Sequence, residues 1–114
     1  MTFKEQFSFQ DRKEECTKVM TKYPDKVPVI CEKLNSCDPD INKIKFLIPL
    51  EVSLAYFMFL IKKRHIINKN EGIFILINGV IPPCSFCFYQ LYELFKQDDG
   101  FLYINYSIEN VFGS

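Results

Sequence analysis

Apolar residues recur at Phe9, Cys16, Val19, Met20 and Tyr23, while Arg12, Lys13, Glu14, Lys18 and Lys22 occupy the remaining positions. That spacing predicts an amphipathic helix from about Phe9 to Lys22, with Ser8 able to cap it and Asp11 at the capping-box position. Thr2 to Phe7 reads as a short additional helical turn. Tyr23-Pro24-Asp25-Lys26 ends the helix in a turn, because proline cannot continue it and Asp25 suits the bend. Val27–Leu34 and Lys43–Pro49 read as strands, joined through Asp38-Pro39-Asp40, a loop signal that makes them an antiparallel hairpin. Ser53–Arg64 is apolar nearly all round, which predicts a helix buried between layers, with Lys62-Lys63-Arg64-His65 at the end that favours cations. Ile73–Ile77 is a continuous apolar run, predicting a central strand covered on both faces. Asn78-Gly79 turns the chain and Pro82-Pro83 stops the next short extended piece. Phe88, Leu91, Tyr92 and Phe95 mark a helix, and a last strand, Phe101–Ile108, follows Gly100.

Helix, strand, strand, helix, strand, helix, strand is the order of an α+β domain with a mixed sheet. No internal repeat or low-complexity tract divides the chain. Three stretches are distinguished within one compact domain: 1–24 as an N-terminal helical extension, 25–108 as the core and 109–114 as a flexible tail.

The strand Ile44-Lys45-Phe46-Leu47-Ile48-Pro49 has the marks of a sheet edge, with a basic side chain near its start and proline at its end. Strand alternation sends Phe46 and Ile48 to one face, Lys45 and Leu47 to the other. Bulky apolar groups on both faces beside an open edge suit capture of an extended peptide by strand addition.

Composition narrows the function classes. Hydrophobic residues make up 48% of the 114, so the chain folds, and 14 basic residues against 14 acidic ones argue against a dedicated nucleic-acid binder. Five cysteines and no signal-like start point to a reducing cytosol. The longest apolar run, Leu54–Ile61, falls far short of the roughly 20 residues a membrane span needs, and a soluble protein is expected. Catalytic chemistry is scarce. Cys84-Ser85-Phe86-Cys87 is a CxxC, but it follows Pro-Pro late in the chain rather than the first strand of a redox unit, and no second Cys or His pair completes a zinc site. His65, the sole histidine, reads as a dipole-stabilised surface residue. No GxGxxG, P-loop or Gly-x-Ser-x-Gly motif is present. No enzyme, metal or cofactor is expected.

Several long motifs, in order, resemble the autophagy ubiquitin-like modifiers, the GABARAP group. They are Tyr23-Pro24-Asp25-Lys26-Val27-Pro28-Val29-Ile30, Lys45-Phe46-Leu47-Ile48-Pro49, Phe57–Arg64, Asn78-Gly79-Val80-Ile81-Pro82-Pro83, Gly100-Phe101-Leu102-Tyr103 and the terminal Phe112-Gly113. The resemblance runs from about Phe3 to Ser114. It implies a ubiquitin-like β-grasp core with a mixed four-stranded sheet and two added N-terminal helices. It implies that a cysteine protease removes Ser114 and exposes Gly113, which activating and conjugating enzymes then transfer to phosphatidylethanolamine on autophagosomal membranes. A monomer, cytoplasmic until lipidated, is expected.

The resemblance also assigns a groove. Receptors and adaptors carrying an aromatic-x-x-aliphatic motif would add a strand at the Lys45–Pro49 edge. It places Glu15, Val19, Pro28, Ile30, Lys45, Leu47 and Phe101 at a first pocket, and Phe46, Ile48, Pro49, Val52, Phe57 and Leu60 at a second. Lys22, Lys26, Lys43 and Arg64 would form a basic rim for acidic residues flanking the motif. The family commonly has small or hydroxyl residues where Cys84 to Cys87 sit, and Val19 is smaller than the isoleucine often found at its position. Two alternatives are a non-conjugated adaptor in vesicle traffic or cytoskeletal attachment, and a thiol-dependent enzyme at Cys84 and Cys87.

Overall fold

The computed structural model describes residues 2–34, 43–64 and 71–110. Its elements are α1 (Phe3–Gln6), α2 (Phe9–Lys22), β1 (Lys26–Lys33), β2 (Lys43–Pro49), α3 (Leu54–Arg64), β3 (Glu71–Leu76), α4 (Phe88–Phe95) and β4 (Leu102–Asn110). The local reasons are those the sequence offers. Thr2 closes a capping box on α1, its Oγ1 accepting from the Glu5 N–H at 3.2 Å while the Glu5 carboxylate accepts from the Thr2 N–H at 2.9 Å. Ser8 Oγ accepts from the Asp11 N–H at 3.1 Å and so caps α2. Asn78 and Gly79 both take positive φ, 52° and 76°, and the N–H and C=O groups of Ile77 and Val80 bond reciprocally around them.

The four strands pair in the order β2-β1-β4-β3. β1 pairs with β2 antiparallel and with β4 parallel, and β3 pairs with β4 antiparallel. This is the β-grasp arrangement that the resemblance implies, and the hairpin of the first two strands is as expected. Each face of the sheet has its own core. On one face Val27, Val29, Cys31, Ile48, Leu102, Ile104 and Tyr106 pack with Leu54, Phe57, Ile61, Phe88 and Leu91 of α3 and α4. On the other, Ile30, Phe101 and Tyr103 pack with Phe3 and Cys16 of α1 and α2, and Met20 joins them. Strand alternation divides the neighbouring residues between these clusters, so the helices lie on both sides of one sheet.

Four expectations need correction. Ile73–Ile77 is not a central strand. β3 is last in the sheet order, Phe74 is exposed, and Ile77 lies past the strand in a bridge to Val80. Its apolar run fits an outer strand because Ile75 turns inward to the α3–α4 core while Phe74 faces outward. The apolar α3 is not buried all round. Leu54, Phe57 and Ile61 face the core, whereas Tyr56, Phe59 and Leu60 are exposed. β4 extends through Asn110, taking Glu109 and Asn110 from the expected tail into pairing with Gly72 and Glu71.

The last correction concerns Arg12, which is not on the solvated side of α2. It lies one turn before Cys16 and reaches into the protein, where its Nε donates to Asp99 Oδ2 at 3.0 Å. Asp99 also accepts from the Phe101 N–H at 2.9 Å and the Tyr103 hydroxyl at 2.5 Å. This buried carboxylate ties α2 to the segment entering β4. Beside it Gly100, at φ +96°, lets the backbone approach Cys16 so closely that a Cβ would lie 2.7 Å from Sγ. The Asp38-Pro39-Asp40 loop and His65 lie outside the described residues.

Candidate functional site: the open edge of β2

β2 has β1 as its neighbour on one side, and among the described residues no strand pairs with its other edge. The register aligns Pro28 with Leu47 and Ile30 with Lys45 on the α2 side of the sheet. Val27 with Ile48, and Val29 with Phe46, face α3. The two faces of the edge are thus lined by different helices.

On the α2 side the edge borders a cavity of about 300 Å³ lined by Glu15, Val19, Pro28, Val29, Lys45, Phe46, Leu47 and Phe101. Six of the seven residues assigned to the first pocket line it. The seventh, Ile30, is fully buried with Phe3, Cys16, Phe101 and Tyr103, and lies beneath the pocket rather than in its lining. The reason is topological. β1 is an interior strand, so α2 covers the Ile30 side chain, and sequence alternation alone could not show how deep that cover goes. The cavity suits an apolar anchor with a polar mouth. Val19, Leu47 and Phe101 supply the walls, while Glu15 and Lys45 put opposite charges at its rim.

The α3 side of the edge is lined by aromatic rings. Phe46 stands edge-on to Phe57, with ring centroids 5.2 Å apart and planes at 84°, and the Arg64 guanidinium lies over the Phe46 ring at 5.8 Å. Val52 packs at the margin of the same cluster, Leu60 and Pro49 are exposed, and Ile48 and Phe57 belong to the core. The six residues assigned to the second pocket therefore divide into a floor and a rim.

Of the basic rim, Lys22 and Arg64 are exposed and Lys26 is half-buried. Lys22 Nζ lies 5.6 Å from the centre of the Tyr23 ring. The Lys43 side chain, Gly113 and Ser114 lie outside the described residues. A residue group absent from the sequence assignment adjoins the first pocket: Phe3, Phe7, Asp11 and Arg12 line a second cavity with Glu15 and Lys45. Arg12 carried a usable signal, since a residue four before Cys16 shares the buried stripe of α2. Phe3 carried none, because four residues of helix have too short a pattern to orient.

Among the described residues the thiols form no catalytic constellation. Cys16 and Cys31 are buried, and burial pushes their pKa values up from 9.0, to about 11 and about 12. The charges of Asp99 and Glu15 add to the effect at Cys16, and Glu32 adds at Cys31. Cys84 is exposed and Cys87 half-buried at the start of α4, where its N–H donates to Gln90 Oε1 at 2.9 Å. The Cys84 and Phe86 carbonyls accept from the Ala55 and Leu54 N–H groups, so this turn satisfies first-turn donors of α3. Among the described residues no group of three or more His, Cys, Asp or Glu could hold a metal ion, and no helix is long and apolar enough to cross a membrane.

The family model "Autophagy protein Atg8 ubiquitin like" matches residues 11–113 of the chain. The chain belongs to the Atg8 family. Autophagy-related protein 8 of Schizosaccharomyces pombe is 43% identical over 113 residues, covering 98% of this chain and 93% of its own. The protein of that name from Coccidioides immitis is 42% identical over 113 residues, covering 98% and 97%. Among solved structures, Trypanosoma brucei ATG8 superposes with a TM-score of 0.82 at 32% identity, over 99% of this chain and 98% of that one. Plasmodium falciparum Atg8 in complex with a Plasmodium falciparum Atg3 peptide superposes at 0.79 with 32% identity, over 94% and 95%. Atg8-family membership makes the chain a ubiquitin-like autophagy protein of the modifier and adaptor class, not an enzyme.

Proposed function

We propose that this Atg8-family chain is a conjugated autophagy modifier. Ser114 is removed by a cysteine protease, and the exposed Gly113 is activated and joined to phosphatidylethanolamine, so that the cytoplasmic protein becomes attached to the autophagosomal membrane. There it recruits receptors and adaptors whose aromatic-x-x-aliphatic motif adds a strand to β2. The supporting observation is the open edge of β2 between an apolar cavity on one face of the sheet and the Phe46–Phe57 pair on the other.

Two anchors three residues apart on an extended peptide point to opposite faces of the strand. The aromatic one enters beside Val19, Leu47 and Phe101. The aliphatic one lies against Phe46, Val52 and Leu60, over the floor of Ile48 and Phe57 and beside Pro49. Backbone bonds to β2 hold the segment between them. A conjugating enzyme is also a partner of this reading, in keeping with the Atg3 peptide bound to the Plasmodium falciparum relative. At Gly113 the carboxylate has no Cβ beside it, which eases formation of an adenylate and then a cysteine thioester, before the lipid amine attacks.

One preparation tests both halves. Leu47→Ala should weaken binding of an aromatic-x-x-aliphatic peptide by about 2 kcal/mol in calorimetry, as at other buried anchors, without loss of fold. Gly113→Ala should keep wild-type peptide binding and fail in reconstituted conjugation to phosphatidylethanolamine vesicles, whereas the Ser114 deletion should conjugate without the protease. Unchanged peptide affinity in Leu47→Ala, or conjugation of Gly113→Ala at the wild-type rate, would refute the corresponding half.

A further inference from the structure

The cavity lined by Phe3, Phe7, Asp11, Arg12, Glu15 and Lys45 holds about 280 Å³ and shares Glu15 and Lys45 with the first pocket. It therefore continues the groove past the aromatic anchor. We infer that it is a cation-accepting subsite, which takes an arginine or lysine side chain of the bound peptide, two residues before the aromatic anchor. The inference rests on the peptide-groove reading above and deepens it.

The position follows from strand geometry. The aliphatic anchor lies towards Pro49 and Leu60, at the C-terminal end of β2, and the new cavity lies beside Lys45, nearer its N-terminal end. A peptide with its aromatic residue near Leu47 and its aliphatic one beyond therefore runs parallel to β2. Its residue at −2 shares the face of the aromatic side chain, at a distance of about 7 Å along the strand. That face looks into the cavity.

The chemistry follows from how the lining charges are already used. The Arg12 guanidinium donates to Asp99 through Nε and to the Lys4 and Phe7 carbonyls through Nη1, at 3.1 Å and 2.8 Å. Its charge is matched within the protein. Lys45 Nζ stands 5.2 Å from the centre of the Phe3 ring. Neither the Asp11 nor the Glu15 carboxylate has an ion-pair or hydrogen-bond partner among the described basic residues. The lining thus offers two carboxylates without an ion-pair partner against one ammonium, that of Lys45, which already stands over the Phe3 ring. The same lining holds the buried Phe3 ring and the exposed Phe7 ring, with centroids 5.1 Å apart and planes tilted by 48°, so that Phe7 presents the open aromatic face. Aromatic faces beside carboxylates receive a guanidinium or ammonium well, because both the ring quadrupole and the negative charge attract it. An acidic side chain at the same place would meet Asp11 and Glu15 at close range.

Three peptides that share one aromatic-x-x-aliphatic core, with Arg, Ala or Glu at −2, separate this subsite from the groove itself. By titration calorimetry at low salt the Arg peptide should bind about five-fold more tightly than the Ala peptide, and the Glu peptide no better than Ala. Asp11→Asn should leave the Ala peptide unaffected and reduce the Arg preference, and Asp11→Asn with Glu15→Gln should abolish it. Raised salt should also shrink the preference. Binding of all three peptides with Glu equal to or better than Arg, or an Arg preference that survives the double variant, overturns the subsite and leaves the groove standing. Binding of none overturns the groove and the subsite together.

Discussion

Asp99 shows what one residue contributes here. A carboxylate almost wholly removed from water is tolerable only when donors surround it, and Arg12 Nε, the Phe101 N–H and the Tyr103 hydroxyl do so. Those three donors come from α2, the residue before β4 and β4 itself, so the carboxylate links the helical layer to the sheet beneath the first pocket. Asp99→Ala would leave the Arg12 charge, half-buried, without its counter-ion and the Tyr103 hydroxyl without its acceptor. Urea denaturation should show a loss of about 3 kcal/mol. A loss below 1 kcal/mol would mean that Arg12 finds enough compensation in the Lys4 and Phe7 carbonyls. The sequence reading set Arg12 apart from the Cys16 stripe although the two are four residues apart, and nothing in it pointed to the partner 87 residues away.

At the scale of elements, α3 shows where hydrophobic pattern stops being informative. Its eleven residues include aromatic or aliphatic side chains on every side, yet Phe57 is 1% exposed and Phe59 is 57% exposed. Only the direction from which the sheet approaches distinguishes them. Phe57 touches Phe46 and Phe88, each with centroids 5.2 Å away, whereas Phe59 has Tyr56 as a ring neighbour at 6.2 Å. Phe57→Ala should therefore cost about 3–5 kcal/mol and weaken peptide binding through the loss of support under Phe46. Phe59→Ala should change stability by about 0.5 kcal/mol or less. Thermal unfolding of the two variants side by side is the check, and equal losses would contradict the observed orientation of the helix. The same contrast explains β2. Its edge character was legible in a lysine and a proline, because these are the residues that protect an unpaired edge, and the sheet order bears it out.

For the whole molecule, two thiols and three tyrosine hydroxyls packed between the layers shift in one direction. Burial is the largest cause in each case, raising Cys16 to about 11 and Cys31 to about 12, and raising Tyr92, Tyr103 and Tyr106 above 10.0. At Tyr103 the hydrogen bond to Asp99 adds to burial. A raised pKa in the folded state means that the folded protein holds its proton when the unfolded chain has lost it. The stability these neutral groups provide is complete below pH 9 and falls as pH rises through the interval between unfolded and folded values. Each group contributes a slope of up to about 1.4 kcal/mol per pH unit there. Urea midpoints should be level across neutral pH from these groups, and the protein should be about 2 kcal/mol less stable at pH 10 than at pH 8. A stability that rises over that range would contradict the burial of the two thiols.

The sequence by itself determined the local and the repetitive: helix and strand placement, the capped start of α2, the Asn78-Gly79 turn and the alternation that divides β2 between two faces. Each depends on spacing, or on a residue type with one strong backbone preference. The family motifs named seven residues for a first pocket, and six of them meet around one cavity. Tertiary structure decided the rest because it depends on which layer comes to lie against which side chain. It placed β3 at an edge although its sequence looks central, exposed one side of an apolar helix, and sank Ile30 beneath the pocket it was expected to line. It also brought Phe3 and Phe7 of the first turn beside Lys45. No periodicity encodes that approach, because it joins residues some forty positions apart through the packing of α1 and α2 on the same sheet.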